Sequence, residues 1–136
     1  MKLQDIITES SDIEHALFTG ILRYEKCTEL LKIIQPQSFD AVGTLVDMTK
    51  HMGQIDYKFS AFGEWEAAKH FNDVGLVCVL NNNVIKPAHE LIDAWLPVIE
   101  PGGYLICFDH YADLNSDLQQ ADENTTDYPP NWYRQA

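Results

Sequence analysis

The residues able to do chemistry in this chain are those that directly follow its apolar runs. Asp109-His110-Tyr111 follows Tyr104 to Phe108, Asp47 follows Ala41 to Val46, and Asn81-Asn82-Asn83 follows Gly75 to Leu80. Asp109 and His110 are the catalytic candidates. An imidazole titrates near neutrality and can take a substrate proton, and a nearby carboxylate raises its basicity. Adjacent residues on an extended strand point to opposite faces, so Asp109 need not support His110 directly. The Asn run offers amide hydrogen bonds and tolerates left-handed turn geometry. Gly20 interrupts an apolar stretch and would let backbone approach a ligand closely.

Other chemistries find little material. His15, His51, His70 and His89 are scattered without metal-ligand spacing, and Cys27, Cys78 and Cys107 form no CxxC or Cys/His pattern. Cys78 and Cys107 lie inside apolar runs and read as buried free thiols. No Ser-His-Asp or Cys-His arrangement can be argued from the order of residues, and no Gly-rich loop with Lys appears. No metal is expected.

Composition narrows the partners. Of 136 residues, 46% are hydrophobic and 22% charged, which is ordinary for one globular domain. Nine Lys and Arg face 21 Asp and Glu, a formal charge of −12. Phosphate backbones and anionic membrane surfaces need clustered cations, so neither nucleic acid nor a membrane is an expected partner. The opening residues show no apolar signal core, and the apolar runs are too short to span a bilayer. The expected setting is cytoplasmic and reducing.

The elements that position these residues follow from periodicity. Residues 1–12 read as a polar lead-in, with Ser10 and Ser11 as helix N-caps. From Ile13 to Ile34 a long amphipathic helix competes with a strand around Ala16 to Thr19, a turn at Gly20 and a helix from about residue 25. Pro36 ends the helix. Ala41 to Val46 and Tyr57 to Ser60 read as strands, and Glu64 to Phe71 as a short helix. Gly75 to Leu80 and Tyr104 to Phe108 read as buried parallel strands. Ile85 to Val98 has helical spacing, and Pro101-Gly102-Gly103 makes a turn. Strands alternating with helices predict a Rossmann-like three-layer α/β sandwich, with a mostly parallel sheet of about five strands in the order 3-2-1-4-5. Ligands in such sheets bind beyond the carboxyl ends of the strands.

The stretch Val74 to Tyr111 carries a resemblance. Its apolar strand closes in Asn81-Asn82-Asn83, and a helix ends in Trp95-Leu96-Pro97. Pro101-Gly102-Gly103 and a strand closing in Asp109-His110-Tyr111 follow. This resembles class I S-adenosylmethionine-dependent methyltransferases, in particular the macrocin O-methyltransferase group. The likeness extends back to about residue 14, with Phe18 to Thr28 resembling the first-strand motif. It implies S-adenosylmethionine as cofactor, a small-molecule methyl acceptor, Gly20 and Asn81 beside the cofactor, and Asp47 on the ribose hydroxyls.

Departures accompany the likeness. The family's first-strand acid is Phe18 or Thr19 here, and its second glycine falls near Tyr24 or Glu25. Its Asp-x-Asp acids, which help hold Mg²⁺ in metal-using members, are Asn81 and Asn83, and the second acid of its Asp-Asp pair is His110. The alternative function is therefore a non-catalytic methyltransferase-like scaffold acting through protein contacts. Members also continue into two strands after the fifth, whereas residues 109–136 hold six acids, one Arg and little apolar periodicity. The expected organisation is a domain over residues 1–111 and an acidic tail over 112–136. The tail ends in an aromatic anchor at Trp132-Tyr133. Without the extra strands the sheet edge is bare, which suggests a homodimer.

Overall fold

A computed structural model describes residues 1–10, 13–46, 58–60, 68–80, 86–109 and 113–136. The chain begins with a helix, α1 (Leu3–Glu9), where a polar lead-in was expected. Leu3 and Ile6, one turn apart, are enough to bury one face of it. Ser10 stands at its C-terminal end rather than capping a following helix, its hydroxyl donating to the Ile6 carbonyl.

Residues 15–34 resolve as strand then helix. β1 (His15–Arg23) runs straight into α2 (Tyr24–Ile34). Strand residues 16 to 20 are all buried, so both faces of β1 are covered. A helix with Gly20 in its third turn would have lost that two-sided burial. α2 buries Cys27, Leu30 and Ile34 and stops at Gln35, whose left-handed φ of 50° turns its N–H back to Leu31, just before Pro36. β2 (Ser38–Val46) and β3 (Lys58–Ser60) follow. Of the helix expected over Glu64 to Phe71, residues 61–67 lie outside the described residues, and Ala68–His70 forms one 3₁₀ turn.

β4 (Val74–Leu80) and β5 (Ile99–Phe108) enclose α3 (Ala88–Trp95) and a 3₁₀ turn over Leu96–Val98. Pro101-Gly102-Gly103 lies within β5, as an irregularity in its pairing with β4, instead of preceding the strand. A Cβ on Gly103 would stand 2.9 Å from the Gly75 carbonyl oxygen, closer than carbon and oxygen can pack. β6 (Gln119–Gln120) and β7 (Asn131–Arg134) complete the sheet.

The fold is α/β, with a mixed, mostly parallel sheet. Its strand order is β3-β2-β1-β4-β5-β7-β6. β1 to β5 are parallel neighbours, and β7 joins β5 antiparallel. The expected order 3-2-1-4-5 is present, but the strand number is corrected. Among the described residues six strands have three residues or more, and the two-residue β6 is a seventh. The acidic tail is therefore not an appendage. Leu114, Leu118 and Ala121 are buried, and β7 covers the β5 edge that suggested a homodimer. Its acids serve local turns: Asp113 accepts from the Asn115 N–H, and Asp122 from the Asn124 N–H. Carbonyls of Asp127 and Thr125 accept the first N–H groups of α3, which a helix otherwise leaves unpaired.

Helices cover both faces. On one, Phe18, Leu76, Cys78 and Ile106 pack against α1 and α2. On the other, Leu17, Val77, Val79 and Leu105 pack against Leu91, Ile92 and Trp95 of α3. All three cysteines are buried, and none is in a disulfide. Among the described residues no helix is long and apolar enough to cross a membrane.

Candidate functional site

β1 pairs with β4 through Gly20↔Leu80 and with β2 through Arg23↔Val46. β1 leads to α2 on one face, whereas β4 leads to α3 on the other. The boundary between β1 and β4 is thus the point where the direction of winding reverses, the usual ligand position in open α/β sheets.

Gly20 sits at this boundary, paired with Leu80. Its φ is +102°, and a Cβ there would fall on the Leu80 carbonyl. Its register partner Gly43 has φ +145°, and a Cβ there would fall on Gly20 backbone. The glycine requirement is met by three converging backbones, so it arises within the sheet itself. Phe108 is abreast of Leu80, so Asp109 follows at the same end and is exposed. Gly20 and Asp109 thus share one end of the sheet, with β4 between them. Asp47, Asn81 and His110 lie outside the described residues.

Two buried polar groups lie toward this end of the sheet, Thr19 at the position of the family's first-strand acid and Asn131, which the sequence did not single out. Thr19 is fully buried and its Oγ1 has no hydrogen-bond partner. Asn131 is buried with both amide atoms unpartnered. The register Thr19↔Val79↔Cys107↔Asn131 sets them in one row across four strands. Neighbouring strands lie ~4.8 Å apart, so the two are about 14 Å from each other. Asn131 packs beside Ala88, Ile92 and Ala121, where there is no room for a water molecule. No spacing rule points to Asn131, which lies within an ordinary strand sequence, and the resemblance alone points to Thr19.

Leaving a buried amide unpaired costs about 1–3 kcal/mol. Asn131→Leu, which keeps the size and removes the polar atoms, is expected to raise unfolding stability by about that amount. Urea denaturation measures it, and a loss of stability would show that the amide is satisfied.

Two clefts lie elsewhere. One of about 420 Å³ runs along α3 beside Lys86, Glu90 and Asp93. Another of about 340 Å³ opens at the amino ends of β4 and β5, between Glu9, Glu100 and Arg134. Arg134 lies 5.4 Å from the centre of the Tyr104 ring, a cation–π contact that anchors β7. Among the described residues no group of three or more His, Cys, Asp or Glu could hold a metal ion.

A scan against protein-family models matches none, and a search of curated proteins finds no match to this chain.

Proposed function

We propose that this chain is a Rossmann-like, methyltransferase-type domain that takes S-adenosylmethionine at the carboxyl-end boundary between β1 and β4 and methylates a small molecule. The observation that carries the reading is the reversal of winding between β1 and β4, in a sheet of order 3-2-1-4-5 followed by two further strands. Those two strands are what the resemblance implies after the fifth. The cofactor supplies an electrophilic methyl group on sulfonium, and the protein's part is positioning. Thr19 Oγ1 is an unspent hydrogen-bonding group within β1, beside Gly20. Asp109 follows β5 at the same end, where an acid acts on a bound acceptor. The charge of −12 argues against nucleic acid as acceptor, and three buried cysteines outside any disulfide suit a reducing cytoplasmic setting.

One observation favours the non-catalytic scaffold instead. β1 passes directly into α2 at Arg23-Tyr24, with no glycine loop to bring backbone against a cofactor, and Tyr24 packs against the core. Calorimetric titration with S-adenosylmethionine and its demethylated product separates the two. Heat of binding is expected for the methyltransferase reading, with an affinity about tenfold or more weaker in Asp47→Ala. One charged hydrogen bond contributes about 1.5–3 kcal/mol, which is at least that factor. Absence of heat and of any thermal shift at millimolar ligand leaves the scaffold. Unchanged binding by Asp47→Ala removes that residue from the site.

A further inference from the structure

At the opposite end of the sheet, three side chains that are distant in sequence form a chain of hydrogen bonds. β1 and β2 are parallel with His15 beside Ser38, so Asp40 lies two residues further along β2 on the same face. His15 Nε2 stands 3.0 Å from Asp40 Oδ2, and His15 Nδ1 stands 2.7 Å from Ser38 Oγ. An ionised carboxylate only accepts, so in the neutral imidazole Nε2 carries the hydrogen. Nδ1 is left bare and accepts the Ser38 hydroxyl hydrogen. The other acceptor within reach of that hydroxyl, the Glu14 carbonyl, is further away at 3.3 Å. Ser38 is exposed, whereas the Asp40 side chain is 14% exposed and that of His15 28%. The nucleophile is thus open to solvent, and the pair behind it is more enclosed.

We propose that Ser38, His15 and Asp40 form a nucleophilic triad that accepts acyl groups from small activated esters. Ser38 Oγ bonds to the ester carbonyl carbon while its proton passes to His15 Nδ1. The bond from that carbon to the leaving oxygen then breaks, and the leaving group departs with the proton from His15. Water attacks the acyl-Ser38 ester by the same route, releasing the carboxylic acid and restoring the serine. Asp40 holds the productive tautomer through its contact with Nε2, a positioning role.

The surroundings define the substrate class. The nearby N–H groups of Gln37 and Ser38 are both spent, on the Ile13 and Glu14 carbonyls. An oxyanion formed at Ser38 therefore lacks those donors, each of which is typically worth about 10²–10³ in rate. Reaction is confined to esters whose leaving group is good enough to need little such help, and amides are excluded.

The test uses the intact chain and p-nitrophenyl acetate. Nitrophenolate release is followed by absorbance, and the acetylated residue is located by peptide mass spectrometry. Expected is acetylation at Ser38 that is faster in the folded protein than in the urea-unfolded chain, and absent in Ser38→Ala. His15→Gln should slow it about 10²-fold, the usual contribution of a general base. Asp40→Asn, which invites the wrong tautomer, should slow it as well while leaving the melting temperature within the range of the other variants. Equal acetylation of Ser38 in the folded and unfolded chains overturns the proposal. So does an unchanged rate in His15→Gln, which would reduce the three residues to a clamp between β1 and β2.

Discussion

Gly20→Ala is expected to destabilise the protein by at least about 3 kcal/mol, through a strained backbone and a steric overlap together. A φ of +102° is unfavourable for any residue with a Cβ, and here the Cβ would also collide with the Leu80 carbonyl. Backbone on both sides leaves no flexible side chain to yield, so β1 must move away from β4. Gly102 provides the control. Its φ is +83°, but a Cβ there meets nothing within 4 Å, so Gly102→Ala reports conformational strain alone. Urea denaturation of both variants isolates the overlap as their difference. If Gly20→Ala matched Gly102→Ala, the close convergence of β1 and β4 would be refuted.

The second large effect is alkaline. Burial pushes the Cys27 thiol up to about 12 and raises Cys78 further, with the neighbouring Cys27 adding to the latter. In the unfolded chain both thiols lose their protons around 9, the ordinary value. Above that pH the unfolded state binds fewer protons than the folded state, so stability falls as pH rises. The loss approaches about 1.4 kcal/mol per pH unit for each thiol and continues until the folded thiols ionise. Below pH 9 both states are protonated and the effect vanishes. Thermal unfolding from pH 7.5 to 10.5 should therefore fall more steeply for the wild type than for a Cys27→Ala/Cys78→Ala double variant. Comparing slopes sets aside the cavity cost of the substitutions and the titration of Lys and Tyr. Parallel curves would mean that the thiols are not held neutral by the fold.

The parts of the fold that were legible in sequence are those whose burial pattern is strong. Val74 to Leu80 is apolar on both faces, and no helix or loop would hide it so completely. Leu91, Ile92 and Trp95 fall on one side of a helix and read as one. The missed elements bury little. Leu3 and Ile6 are the only residues α1 buries, too few for a periodic signal. β7 reads Asn-Trp-Tyr-Arg, whose mixed polarity suits a segment near the sheet margin and gives no clean alternation. Residues 109–136 looked solvated because their acids were counted as charge, whereas Asp113 and Asp122 shape turns that bring apolar residues inward.

Site legibility followed the same division. The strand-end rule led to Gly20 and Asp109 because it needs only the ends of apolar runs. Thr19 and Asn131 gain meaning from the row Thr19↔Val79↔Cys107↔Asn131, which is a matter of cross-strand register. Ser38, Asp40 and His15 likewise meet only because β1 and β2 align His15 with Ser38. Register between distant strands is set by the packed sheet and has no local sequence signature.

The antiparallel pairing of β7 with β5 has a consequence during synthesis. β5 emerges from the ribosome before its partner, with its N–H and C=O row turned outward until Asn131 to Arg134 follow. At about 5–20 residues per second, the chain between Phe108 and Asn131 takes roughly one to four seconds to make. For that interval the nascent protein carries the unprotected apolar strand Tyr104 to Phe108. A chaperone that shields open strand edges would find its substrate in this window and lose it as soon as Trp132 and Tyr133 dock.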